Sequence, residues 1–104
     1  LCAISDAIRK TLREYDVCGR WGGEEFLVLL PETSTEFATQ VTERIRSSIE
    51  QVQIELPQAE SPPITASFGL TQYQPGESYS DTINRADALL LEAKALGRNR
   101  VVVA

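Results

Sequence analysis

The sequence predicts an α+β domain on three observations. Segments with helical periodicity alternate with short strand-like runs, in the order helix, strand, strand, helix, strand, helix, strand, with a weaker strand candidate after the second helix. The pair Gly22-Gly23 joins the first two strand candidates, a hairpin signal because both central residues of a type I′ turn need positive φ. The chain has no internal repeat, low-complexity tract or linker-like boundary. An antiparallel-rich sheet with helices stacked on one side satisfies this order.

Each element has its own warrant. Residues 1–13 place Leu1, Ile4, Ile8 and Leu12 at spacings of three and four, leaving Arg9, Lys10 and Arg13 on the outer side of an amphipathic helix. Residues 16–21 are a short strand candidate, and residues 24–30 the second strand of the hairpin. That strand is apolar without interruption from Phe26, so both of its faces are expected to be covered. Pro31 ends it. Thr33 and Glu36 then fit a capping box ahead of Phe37, Val41, Ile45 and Ile49, which recur at intervals of four. Residues 51–56 alternate weakly as a possible strand, and residues 57–63 form a proline-containing loop. Residues 64–70 alternate cleanly, with Ile64, Ala66, Phe68 and Leu70 on one face. Ser78 or Ser80 caps a third helix carrying Ile83, Ala86, Leu89, Leu90 and Ala93, and Gly97 lies just past its end as a left-handed residue. Residues 100–104 close the chain as an apolar strand.

Composition narrows the function classes. The 104 residues are 42% apolar and 24% charged, ordinary for one small globular domain. A net charge of −5 leaves no basic surplus for a nucleic-acid polymer. No apolar run reaches the length of a membrane span, and no signal-peptide pattern opens the chain. Cys2 and Cys18 match no metal signature and read as buried free thiols, which favours a reducing, cytoplasmic compartment. The chain lacks Met and begins in a helix pattern, so it is expected to be a piece of a longer polypeptide.

The hairpin carries the most suggestive chemistry. Glu24 and Glu25 follow the glycines directly and project to opposite faces of a strand. Mg²⁺ takes hard oxygen ligands, commonly one or two carboxylates with phosphate and water, and glycines let a nucleotide lie against bare backbone. A solvated, charged bend fits the same residues. Lys94 and Arg98, four apart at the end of the third helix, can hold phosphate oxygens or simply complement the helix dipole. Arg13 and Asp16 read as a local surface ion pair unless something else recruits them.

Taken together, Arg20-Trp21-Gly22-Gly23-Glu24-Glu25-Phe26 resembles the signature hairpin of the GGDEF family, the diguanylate cyclases, in its Gly-Gly-Glu-Glu-Phe form. The similarity continues through residues 26–33, through Glu43-Arg44-Ile45-Arg46, through residues 65–70, and through residues 86–89 and 93–101. It covers all 104 residues as one GGDEF domain, roughly the C-terminal two-thirds of the family pattern. The resemblance implies a ferredoxin-like, nucleotide-cyclase-type sheet with helices packed around it, whose first strand and helix are missing from this chain. It implies that two domains meet as a homodimer and condense two GTP into cyclic di-GMP, releasing pyrophosphate, with Mg²⁺ or Mn²⁺ as cofactor.

By position, Glu24 and Glu25 match the catalytic, metal-binding carboxylates, Gly22 and Gly23 the glycines against the nucleotide, and Lys94 and Arg98 the contacts to its terminal phosphates. Arg13 and Asp16 match the Arg-x-x-Asp site of product inhibition, with Arg44 as its secondary arginine. Trp21 stands where the family usually has Tyr or Phe. The family's opening strand with its metal-binding Asp, and the Asn and Asp that read guanine, have no counterpart here. The resemblance thus implies an active parent protein with an upstream sensory domain, and an isolated chain that makes no product. The alternative is a non-catalytic regulatory domain that binds cyclic di-GMP.

Overall fold

In a computed structural model that describes residues 2–22, 25–55 and 65–104, the first amphipathic segment forms α1 (Cys2–Thr11). It ends two residues before Arg13, which sits in the turn that follows. The hairpin is β1 (Val17–Gly22) against β2 (Glu25–Leu29), antiparallel, with Cys18 opposite Val28 and Gly22 opposite Glu25. The register shifts between Arg20 and Gly22. The connecting Gly23 and Glu24 lie outside the described residues, and so does the expected turn type.

The second helix, α2 (Thr35–Glu55), is longer than its apolar repeat suggested. Residues 51–55 continue it, which overturns the weak strand expected there; an alternation of three apolar residues cannot compete with extending a helix already built. Leu56, the loop of residues 57–63 and Ile64 lie outside the described residues. The cap also differs from the capping box. Ser34, not Thr33, accepts from the Phe37 amide at 3.2 Å, and the Ala38 amide bonds the Ser34 carbonyl at 2.8 Å. Thr33 is engaged elsewhere: its hydroxyl donates to the Pro31 carbonyl and accepts from Arg13.

The β3 strand (Phe68–Leu70) is shorter than expected, and β4 (Val101–Val103) runs parallel to it, with α3 (Tyr79–Ala95) as the crossover. Ser78 is the N-cap of α3, accepting from the Asp81 amide at 3.1 Å. Gly97, at φ +123°, takes the left-handed position past the end of the helix. Among the described residues the strands thus form two separate two-stranded ladders, one antiparallel and one parallel, rather than one antiparallel-rich sheet.

The core binds these pieces. Ala7 and Ile8 of α1 bury against Val41, Ile45 and Ile49 of α2, and Cys18, Phe26, Val28, Leu30, Ala66 and Phe68 pack onto that cluster. Phe37 leaves the apolar stripe and is 40% exposed. Gly69 faces α3 so closely that an added Cβ would lie 2.1 Å from the Ala86 carbonyl oxygen. The β3–β4 ladder is therefore held between α2 and α3. Among the described residues the outer face of the hairpin is open at one end: Val17 and Leu29, a cross-strand pair, are 54% and 51% exposed, while Leu27 is half-buried. The expected cover on both sides of β2 fails at Leu29 among the described residues. Its alternate residues Phe26, Val28 and Leu30 were enough to bury one face.

Candidate functional site

The glycine end of the hairpin lies beside α3. Lys94, in the last turn of that helix, brings its Nζ to 4.0 Å from Glu25 Oε2, and both side chains remain well exposed. Two of the sequence-predicted site residues, separated by most of the chain, thus meet. Gly22 closes β1 opposite Glu25, so bare backbone borders this pair. At 4.0 Å between exposed groups the attraction is weak, on the order of 1 kcal/mol or less. Either charge is free to engage a ligand. Glu25 offers a hard oxygen donor of the kind Mg²⁺ takes. Among the described residues no three acidic or thiol side chains converge into a metal-binding group, and Glu24 lies outside them.

Arg98, the other expected phosphate contact, is exposed on the turn between α3 and β4. Its backbone is left-handed, φ 63°, as is that of Asn99, φ 48°. The Arg98 amide donates to the Ala93 carbonyl at 3.0 Å, and the Arg98 carbonyl accepts from Arg100 Nε at 3.1 Å. The Asn99 amide bonds Ser67 Oγ at 3.1 Å. Its side chain donates to Glu50 Oε2 at 2.7 Å and accepts from Arg46 Nη1 at 3.0 Å. The turn carrying Arg98 is thereby tied to α2 and to the chain entering β3.

Arg13 and Asp16 form a closed motif. Arg13 donates from Nε to Asp16 Oδ2 at 3.1 Å and from Nη2 to Oδ1 at 3.0 Å, a bidentate fork. The Arg13 amide adds a bond to Oδ2 at 2.7 Å, and the Asp16 amide returns one to the Arg13 carbonyl at 3.0 Å. The Asp16 side chain is 1% exposed. The hydrogen bonds from Arg13 hold its carboxyl below the usual carboxylate range. The Arg13 guanidinium also lies 4.7 Å from the Tyr15 ring and 5.4 Å from the Phe37 ring. A concavity of about 370 Å³ beside it is lined by Arg9, Leu12, Arg13, Glu14, Asp16 and Cys18. Burial pushes the Cys18 thiol up, which disfavours its thiolate form. Arg44 is exposed on α2. It follows Phe37 by seven residues, two turns along the same stripe and about 10 Å along the axis.

Sequence reading missed the residues that hold these groups: Thr33, Tyr15 and Phe37 around Arg13, and Arg46, Glu50, Ser67 and Asn99 around Arg98. For Asn99 a signal was present, since Asn after Gly-Arg is a residue that tolerates left-handed backbone. Tyr15 is only two residues from Arg13, but nothing in the local pattern marks its ring as a partner; for the others the partners are remote in sequence.

Comparison with known proteins identifies the family. The family profile described as "Diguanylate cyclase, GGDEF domain" matches residues 1–100. Diguanylate cyclase DgcM of Escherichia coli K12 is 38% identical over all 104 residues, and diguanylate cyclase DgcP of Pseudomonas aeruginosa is 42% identical over 97% of the chain. The chain spans 24% and 15% of their lengths, respectively. Among solved structures, diguanylate cyclase SiaD of Pseudomonas aeruginosa, in complex with its activator SiaC, superposes with a TM-score of 0.87 at 50% identity, over 98% of this chain and 39% of that one. The coiled coil and GGDEF domain of DgcB from Caulobacter crescentus, in complex with c-di-GMP, gives 0.88 at 28% identity, over 98% and 55%. With the profile matched over residues 1–100 and the fold shared with these solved domains, this chain belongs to the GGDEF domain family.

Proposed function

We propose that this chain is the GTP-condensing domain of a diguanylate cyclase that works in the cytoplasm and is driven by a sensory domain elsewhere in the same protein. Two copies each hold one GTP and meet as a homodimer. The 3′-hydroxyl of each GTP attacks the α-phosphate of the other. Two P–O bonds form, two pyrophosphates leave, and cyclic di-GMP remains. The observation that carries this reading is the meeting of Glu25 with Lys94 beside the glycine end of the hairpin.

The roles follow from the chemistry of the side chains. Gly22 and Gly23 leave space for a nucleotide against the backbone. Arg98 binds the terminal phosphates of the substrate, and Lys94 holds them as charge accumulates on the departing pyrophosphate. Glu24 and Glu25 supply the carboxylates for Mg²⁺ or Mn²⁺, which when bound neutralises charge on the phosphates. The loose, exposed contact between Glu25 and Lys94 suits this division, since each group can turn to its own partner without breaking a strong bond.

Incubating the full-length parent with GTP and Mg²⁺ tests the reading. Cyclic di-GMP is expected from the unsubstituted protein, and a loss of about a hundredfold or more from Glu24→Ala or Glu25→Ala. No product from the unsubstituted protein overturns it.

The Arg13 motif favours a second role beside the first, binding of cyclic di-GMP as an inhibitor, with Arg44 as an outlying contact. A fixed guanidinium next to a concavity suits recognition of phosphate and the stacking of bases. Arg13→Ala and Asp16→Ala are expected to weaken cyclic di-GMP binding by the parent about tenfold or more. Unchanged affinity rules the site out. Binding without any cyclase activity makes the domain a receptor.

A further inference from the structure

We propose that Asn99 is a positioning residue for Arg98: its side chain holds the left-handed turn that aims the guanidinium at the phosphates of the nucleotide. The inference rests on the reading of Lys94 and Arg98 given above and adds a residue to it.

Three successive residues, Gly97, Arg98 and Asn99, have positive φ. Glycine adopts that geometry freely, but Arg does so only against the steric clash of its Cβ with the backbone. Such a residue persists only where its surroundings over-determine it. Here they do. The amide of Arg98 is fixed to the end of α3 and its carbonyl to Arg100. The next residue is fixed three times over: the Asn99 amide to Ser67, its Nδ2 to Glu50, its Oδ1 from Arg46. Ser67 precedes β3, while Arg46 and Glu50 lie one turn apart on α2.

The arrangement is specific to an amide. Its two bonds run in opposite senses, one donated to a carboxylate and one accepted from a guanidinium. Asp cannot donate the first, and Ser or Ala reaches neither. Asn also tolerates left-handed backbone better than most side chains. The same residue therefore fixes the turn by conformation and by tether. Without the tether Arg98 is free to relax to ordinary backbone geometry, swinging its long side chain away from the Lys94 end of α3.

A double-mutant cycle in the full-length parent tests this. Asn99→Gly is the diagnostic substitution, because it leaves left-handed backbone accessible and removes only the side-chain tether. It is expected to raise KM for GTP about tenfold with kcat changed less than about twofold, as a lost phosphate contact does. In an Arg98→Ala background the same substitution is expected to add nothing, since Asn99 acts through Arg98. Arg46→Ala, which loosens the tether from α2 without touching the turn, is expected to reproduce the pattern at smaller amplitude. A full, additive rise of KM in the Arg98→Ala background overturns the proposal, as does an unchanged KM in Asn99→Gly. No cyclic di-GMP from the unsubstituted parent, or no effect of Arg98→Ala on KM, overturns the underlying reading instead, and does so with Asn99 intact.

Discussion

The Arg13–Asp16 pair and the Glu25–Lys94 pair hold the same two charges in opposite settings. The first is local, three residues apart, bidentate and nearly closed to solvent on the carboxylate side. The second joins a strand to a helix far along the chain and stays open at 4.0 Å. A closed pair stabilises its own geometry and presents a fixed guanidinium. An open pair contributes little stability and leaves both charges available. On the proposed function the two regions divide the work of the domain. One can hold a ligand only on its outer side, because its inner bonds are satisfied. The other is suited to the changing charge of phosphate chemistry.

The largest expected effect breaks the open pair. Lys94→Ala in the parent protein is expected to lower cyclase activity about a hundredfold. Its urea unfolding midpoint is expected to move little, because an exposed pair of this kind is worth about 0–1 kcal/mol. A large stability loss would show that the contact is structural.

Gly69→Ala attacks the frame that holds Lys94 while leaving the hairpin untouched. Its Cβ would meet the Ala86 carbonyl oxygen at 2.1 Å and the Leu90 amide nitrogen at 2.4 Å, both backbone atoms that cannot step aside. A cost of about 3 kcal/mol is expected in denaturant unfolding. A neutral substitution would mean that β3 and α3 sit further apart.

Asp16→Ala opens the closed pair and is expected to cost about 2 kcal/mol, since it strips a buried acceptor from several donors. The pH dependence has a definite sign. The folded carboxyl is held below its unfolded value of 3.8, so its contribution is complete above that value and is lost as pH falls through the folded pKa. Glu77 behaves alike: Arg85 and Thr82 hold it near about 2 against an ordinary 4.5. Acid unfolding followed between pH 5 and pH 2 (about the span of these carboxylates) should be shallower in Asp16→Ala than in the unsubstituted chain. Identical curves would remove Asp16 from the acid response.

The smallest effect is expected on the outer face of the hairpin. Val17→Thr or Leu29→Thr should change stability by less than about 0.5 kcal/mol, because both positions are half open and outside the core. A larger loss measured in the parent would show that this face is covered there.

Much of this was legible in the residues. The periodicity of residues 1–12 and 37–49 foretold α1 and α2 because helical burial repeats along a single segment. Ser78 and Gly97 marked the ends of α3 because caps are local hydrogen-bonding devices. Locality also explains the failures. Thr33 looked like a cap, but Arg13, twenty residues away, claimed its hydroxyl. The strand expected at residues 51–56 rested on too few positions to stop the helix, which runs on through Glu55. Phe37 counted as core by spacing, yet it leaves the stripe to lie against Arg13.

The sequence alone determined the helices, the hairpin, the family signature and the pairing of Arg13 with Asp16, though not the burial of that carboxylate, because each is made by residues close in the chain. Only the tertiary structure decided that β3 and β4 pair in parallel, that Gly69 is a contact surface for α3, that Lys94 meets Glu25, and that Asn99 is tethered to α2. These are contacts between segments whose separation in sequence says nothing of their distance. They arise when apolar faces on α1, α2 and the strands bury together, and that burial sets which polar groups come within reach.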